Sequence, residues 1–427
     1  MCLPFRDSGR PHVYMKRDYI LLGVILVLLF GIAAWNILLK NSIPASGGPH
    51  LPAGSIDLIG KDMEEIAIPD QATSSSDEVA TDTITETIVK KHPAAEVLIE
   101  NLTIPWDIGF LPNGNLLITE RDGTLIEFDL SSGTSTVHDI TSAAHIGEGG
   151  LLGLALHPDF KSNRYLYLYV TTNLEGRTIS KVLRYRYAGE MLSNGTTIVD
   201  NIPGAFFHDG GRMAFGPDGK LYITTGDAQD PSLSQDVTSL AGKILRVNDD
   251  GTAPADNPFV SQGENAALVY SYGHRNPQGL AWDNAGVLWA TEHGRSGALS
   301  GLDEINLIIR GGNYGWPNSQ GDVIRENTVG PVIHSGDVTW APAGAAYYDG
   351  SLFFGGLRGE TLYEAVIDGV TIRALKTHFA GRFGRIRAVV LGPDNLLYIT
   401  TSNRDGRGTV QEGDDKVIRI DPKQLQD

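Results

Sequence analysis

Phe207-His208-Asp209-Gly210-Gly211-Arg212 sets a histidine on a Gly-flanked segment. Imidazole ordinarily titrates near pH ~6.5, so His208 is a candidate general base at neutral pH. The plainer alternative is a structural histidine tying down a turn. Asp227, in Thr225-Gly226-Asp227, can orient that imidazole or cap a turn. Arg275-Asn276 offers a fork of donors suited to carboxylates or quinone oxygens, with a surface turn as the alternative. Arg382, Arg385 and Arg387 cluster near the end of the chain, and Arg385 and Arg387 alternate, which puts them on one side of a strand. Two arginines so placed suggest an anionic ligand, and Arg358 is a further donor. Glu292-His293-Gly294-Arg295-Ser296-Gly297, followed by Asp303-Glu304, is a loop rich in the oxygens that hard cations take, but it lacks the EF-hand spacing. Phosphate loops, nucleophile elbows and histidine-rich zinc motifs are absent.

A repeat must position these residues. A Pro/Asp/Asn/Gly turn followed by an apolar strand occurs six times, clearest as Gly216-Pro217-Asp218-Gly219-Lys220-Leu221-Tyr222-Ile223-Thr224 and Gly392-Pro393-Asp394-Asn395-Leu396-Leu397-Tyr398-Ile399-Thr400. The other copies start at Leu111, His157, Asp283 and Tyr348. A spacing of roughly 45 to 65 residues is that of a propeller blade with its loops. Further strands are expected at 125–129, 183–187, 244–247, 361–367 and 416–420. The fold class is therefore all-β, a six-bladed β-propeller of four-stranded antiparallel sheets over residues 94–427. The repeated strands are taken as axial, so that His208, Arg275 and the Arg385/Arg387 pair lie on the approach to the axis.

Composition narrows the function further. The formal net charge of -17 argues against nucleic acid as a partner. The single cysteine, Cys2, excludes a disulfide framework. Residues 19–39 contain no charge and follow Arg6, Arg10, Lys16 and Arg17. That length and flank predict a transmembrane helix, with 1–18 as a short cytoplasmic N-terminus and the remainder extracytoplasmic. Residues 40–93, acidic and rich in Ser, Thr and Pro, read as a disordered linker.

Seven motifs stand together in order. They are Gly147-Glu148-Gly149-Gly150-Leu151-Leu152-Gly153, His157-Pro158-Asp159-Phe160, His208 with Gly211-Arg212, Gly273-His274-Arg275-Asn276-Pro277-Gln278-Gly279, Asp303-Glu304-Ile305-Asn306, Gly312-Asn313-Tyr314-Gly315-Trp316-Pro317 and Arg385-Ile386-Arg387. Over residues 97–421 the chain resembles the soluble glucose/aldose sugar dehydrogenases that use pyrroloquinoline quinone (PQQ). The resemblance implies oxidation of a sugar C1 hydroxyl to a lactone, with His208 as base and Asp227 as its orienting carboxylate. It implies that Arg275 and Asn276 contact the quinone and that Arg275 stabilises the reduced cofactor. Arg358, Arg385 and Arg387 would hold the PQQ carboxylates, and Glu148, a further cofactor-binding residue, falls where glucose-specific members have Gln. Calcium (Ca2+) would take the carbonyls of Gly294 and Arg295, while Glu304 and Tyr314 would bind a second, structural calcium. Arg295 replaces a common Pro, and Ala343 a Ser. Short loops imply an open site and a broad aldose range, with the electrons passing to an acceptor, a quinone or cytochrome, that the sequence does not identify. The competing reading is a non-enzymatic membrane-anchored ectodomain that binds a ligand or partner protein, since fold alone does not define function.

Overall fold

The structure, a computed structural model, describes residues 94–425 except 190, 194, 298 and 299. The expected anchor at 19–39 and linker at 40–93 lie outside the described residues. Among the described residues no helix is long and apolar enough to cross a membrane.

Six antiparallel sheets form the domain. Their innermost strands are Pro105–Phe110, Leu151–Leu156, Met213–Phe215, Pro277–Trp282, Pro342–Tyr348 and Ile386–Leu391, which begin blades 1 to 6 in chain order. Each packs on the next, and the sixth returns to the first, so the ring closes around an axis. Blade 2 carries a small additional strand, Met191–Leu192. Blade 6 is completed by the first described strand, Ala95–Ile99, which pairs with Val417–Ile420 in the register Ala95 to Ile420.

The repeated strands are not axial. They are the second strands out, for example Leu116–Glu120, Leu221–Thr225 and Leu397–Thr401, and the repeated turn joins each to its innermost strand. The physical reason is packing. A second strand is covered on both faces by neighbouring blades, so it tolerates continuous apolar sequence: Leu116 and Ile118 enter the cluster toward blade 6, and Leu117 enters the one toward blade 2. Innermost strands converge backbone to backbone and need small residues there. A Cβ at Gly153 would lie 2.2 Å from the Gly211 carbonyl oxygen, and one at Gly279 2.6 Å from that of Ala343. The sequence-predicted strands at 125–129, 183–187, 244–247, 361–367 and 416–420 all fall on third strands. Apolar clusters fill every seam between blades, and each fully buried Leu or Ile in them contributes about 1.5–3 kcal/mol.

Because the repeated turn closes one end of each inner hairpin, the segments that lead into innermost strands and leave second strands share the other end. His208, Arg275, Asn276 and Arg385 precede innermost strands. Asp227, Arg358 and the 402–405 segment follow second strands.

Candidate active site

At that end lies a cavity of ≈ 450 Å³, lined by Glu148, His208, Arg275, Arg295, Arg358 and Arg385 among others. Its volume falls in the range of about 300–1,000 Å³ usual for small-molecule sites. His208 Nδ1 lies 2.7 Å from Asp227 Oδ1. An ionised carboxylate only accepts, so this contact puts the proton on Nδ1 and leaves Nε2 as the basic nitrogen. Asp227 is 1% exposed and fully engaged: Oδ1 also accepts the Gln229 amide at 2.9 Å, and Oδ2 accepts Trp316 Nε1 at 2.8 Å. His208 adopts φ +67°, and a Cβ at Gly226 would fall 1.9 Å from the His208 carbonyl oxygen. Gly226 thus allows the backbone bearing Asp227 to press against the histidine.

Around the dyad sits a cationic cradle. Arg275 donates from Nη2 to Ser296 Oγ at 2.7 Å, and its guanidinium carbon lies 5.3 Å from the Trp316 ring centre. Asn276 Oδ1 accepts the Gly210 amide at 3.0 Å. Arg385 donates to Asp405 Oδ2 from Nε at 3.0 Å and Nη2 at 2.8 Å, and from Nη1 to the Leu357 carbonyl at 3.0 Å. Arg387 shares the same carboxylate at 3.5 Å and donates to Ser402 Oγ at 3.1 Å. Burial, helped by the nearby Arg121, pushes the Arg387 guanidinium down to about 9. Burial opposes charge at Asp405 too, but Arg387 and Arg385 hold its carboxyl below the usual range. Arg358 is exposed at the rim, and Arg387 and Asn276 lie beneath the lining. Arg382 turns away, stacking on Phe379 and Phe383 at 5.5 and 4.9 Å.

Several buried donors around this cradle have no partner: Arg275 Nε, Asn276 Nδ2, Arg295 Nε and Arg121 Nε. Buried polar groups are rarely left unpaired, and of these Arg275 and Arg295 line the cavity, where guanidinium groups fit a ligand carrying carboxylate and carbonyl oxygens. His293 adds an unpaired Nε2, and burial holds its imidazole down at about 3, hence neutral. At Glu148 burial works upward, but the His208 amide on Oε2 at 3.0 Å and Arg407 on Oε1 at 2.7 Å win, and its carboxyl stays at about 2.

Gly294 and Arg295 line both the large cavity and a small neighbouring one that also touches Glu304 and Tyr314. The structure therefore brings the first pair to the cradle and leaves Glu304 and Tyr314 behind Arg275 and Trp316. Gly294 is fixed by its amide, which donates to Asp303 Oδ1 at 2.8 Å. Among the described residues no group of three His, Cys, Asp or Glu side chains forms a metal cluster, so a cation at the cradle would rest on backbone carbonyls. In the small cavity burial and the adjacent Glu292 carboxylate push Glu304 up to about 8. A cation beside that pair would relieve the repulsion. The Tyr314 ring stacks on His274 at 4.5 Å, and its hydroxyl donates to the Leu307 carbonyl at 2.5 Å.

Sequence reasoning missed Asp405 and Arg407, and saw Trp316 and His293 only as members of a motif and of the oxygen-rich loop. Asp405 and His293 follow the repeated strand of their blades, as Asp227 does, so a count of residues past each repeat was the available signal.

The loop end of the six-bladed propeller thus presents a histidine–carboxylate dyad beside an arginine-lined cavity. The chain belongs to the Glucose / Sorbosone dehydrogenase family, whose profile matches residues 102–411. It is 34% identical over 346 residues to aldose sugar dehydrogenase YliI of Escherichia coli, covering 73% of this chain and 90% of that one. Among solved structures it resembles a glucose dehydrogenase-type oxidoreductase of Thermus thermophilus (TM-score 0.72, 44% identity, 76% and 98% of the two chains). It also resembles the PQQ-bound aldose sugar dehydrogenase of Streptomyces coelicolor (TM-score 0.70, 38% identity, 77% and 98%).

Proposed function

We propose that this enzyme is a PQQ- and calcium-dependent aldose dehydrogenase that oxidises the sugar C1 hydroxyl to a lactone. The observation that carries the reading is the His208–Asp227 pair, 2.7 Å apart, opening on a cavity lined by Arg275, Arg295, Arg358 and Arg385. When bound, PQQ would supply the hydride acceptor and calcium a Lewis acid. The chain's own residues do the rest. His208 Nε2 takes the C1 hydroxyl proton, and Asp227 stabilises the imidazolium that forms. Arg358, Arg385 and Arg387 hold the cofactor carboxylates, and Arg275 with Asn276 holds the quinone oxygens, with Arg275 favouring the reduced form. The carbonyls of Gly294 and Arg295 hold the calcium, and Glu304 with Tyr314 a second one. The neutral His293 adds no competing charge beside the base.

The uncharged run at 19–39 supports an N-terminal anchor that keeps the propeller on the extracytoplasmic side, close to a membrane quinone or cytochrome as acceptor. Resistance of the full chain to alkaline extraction from membranes tests this, and release into the soluble fraction would refute it.

An absorbance titration with PQQ, with and without calcium, tests the cofactor assignment, and dye reduction with aldoses tests the activity. His208→Ala is expected to bind PQQ normally while turnover falls about 10²–10⁴-fold. Wild-type protein that binds no PQQ, or a variant that keeps its turnover, would refute the reading.

A further inference from the structure

One element of the cavity wall takes neither proton nor hydride in that chemistry. Arg407 lies between the second and third strands of blade 6, and Glu148 on the segment leading into blade 2. Arg407 Nη1 donates to Glu148 Oε1 at 2.7 Å, so the pair bridges the sector above blade 1, where Arg121 lies. Both ends are fixed. The Arg407 amide donates to Asp405 Oδ1 at 3.0 Å, and Oδ2 of that carboxylate is the one that binds Arg385. The second oxygen of Glu148 accepts the His208 amide at 3.0 Å. Side-chain exposure falls from 48% at Arg407 to 16% at Glu148 and 7% at Arg385, which places the pair at the mouth and the cradle below. The Arg407 guanidinium carbon also stands 5.1 Å from the Phe207 ring centre. Gln229 Oε1 clips that wall by accepting the Phe206 and Phe207 amides, each at 3.1 Å.

A sugar whose C1 hydroxyl meets His208 Nε2 has its far end directed away from the base. Arg385 lies deep in the cavity, so that end points toward the mouth, whose rim includes Arg407 beside Phe207 and Glu148. We propose that Arg407, braced by Glu148, is a specificity-determining residue that closes the mouth over monosaccharide aldoses and disfavours sugars extended by a second residue. The guanidinium fork has donors beyond Nη1 with which to bind distal hydroxyls. The inference rests on the aldose-oxidising reading above.

The test compares glucose and maltose as substrates of the full chain loaded with PQQ and calcium, with a separate PQQ absorbance titration of each variant. Arg407→Ala is expected to raise KM for glucose, keep kcat within about twofold, and raise the maltose-to-glucose ratio of kcat/KM at least about fivefold. PQQ affinity stays unchanged, and Arg407→Lys keeps much of the wild-type ratio. Glu148→Gln, which removes the ion pair without emptying the site, shifts the ratio the same way and covers the case in which Arg407→Ala fails to fold. An unaltered ratio overturns the proposal, as does a joint loss of PQQ affinity and of activity on both sugars. Wild-type protein that binds PQQ but oxidises neither sugar would instead overturn the aldose reading, and this proposal with it.

Discussion

At the turn end of the axis, the aspartates of the repeated turns in blades 3, 4 and 6 find partners within their own few residues. Asp218 Oδ1 accepts the Lys220 amide at 3.1 Å and Oδ2 the Tyr222 hydroxyl at 3.1 Å. Asp394 repeats this with Leu396 at 3.2 Å and Tyr398 at 2.9 Å, and Asp283 binds Ala285 at 2.9 Å and Trp289 Nε1 at 3.0 Å. The innermost strands leave a cavity of ≈ 530 Å³ there with mainly apolar walls. At the loop end, contacts also cross blades: Asn276 holds Gly210, Trp316 holds Asp227, and Arg407 holds Glu148. Donors there are also left unpaired. At one end the repeated turns of blades 3, 4 and 6 close their own hairpins. The other end depends on all blades being in place, and holds groups ready for a ligand.

The largest way to break this contrast is to remove the charge at the centre of the cradle. Asp405→Ala leaves two buried guanidinium groups, Arg385 and Arg387, without their shared carboxylate. Removing one partner of a buried ion pair costs about 3–5 kcal/mol. Urea unfolding of the cofactor-free protein is expected to show a loss of that order. Saturating PQQ should recover part of it, because its carboxylates replace the missing one. Equal midpoints for variant and wild type, without PQQ, would mean that water already compensates the arginines.

This contrast also explains what could be read in the sequence. The turn end was legible because Asp218 and Tyr222, or Asp394 and Tyr398, lie four residues apart, within one repeat. The blade number and the third strands followed. The repeated strand was assigned to the axis because it is the most apolar, whereas the axis selects small residues such as Gly153 and Gly279. His208, Asp227, Arg275 and Arg385 were legible as residue types in glycine-rich segments. Asp405 as the shared counterion, Trp316 as the second partner of Asp227, and Arg407 across the mouth were not. Asp405 meets its arginines across the inner hairpin of blade 6, 18 residues from Arg387, while Trp316 and Arg407 reach Asp227 and Glu148 from other blades, 89 and 259 residues away.

A second experiment concerns a cost the loop end carries. Asp209, next to the base, accepts the Ala205 amide on Oδ1 at 3.2 Å, while Oδ2 is buried without a partner. Burial pushes this carboxyl up from 3.8 to about 7. The folded chain therefore keeps a proton there that the unfolded chain has released, so stability falls as pH rises from about 4 to about 7. Asp209→Asn carries no charge. The difference in Tm between variant and wild type should be small at pH ~4, grow in favour of the variant toward pH ~7, and then level off. A variant less stable than wild type at pH ~8 would show that the carboxylate is solvated after all.

The smallest effect is expected at the turn end. Asp394→Ala removes two hydrogen bonds, to the Leu396 amide and the Tyr398 hydroxyl. At about 0.5–1.5 kcal/mol each, the loss is about 1–3 kcal/mol, read as a lower urea midpoint with the slope unchanged. Turnover per folded molecule should not change, because both partners lie within four residues of Asp394 and neither reaches the loop end. An aspartate lost from a self-contained turn weakens one hairpin. Loss of Asp227 at the other end would free the tautomer of the base. A drop in kcat for Asp394→Ala, with the protein still folded, would show that strain at one end of blade 6 reaches Arg385 and Arg387 through their own strand, and that the two ends are not independent.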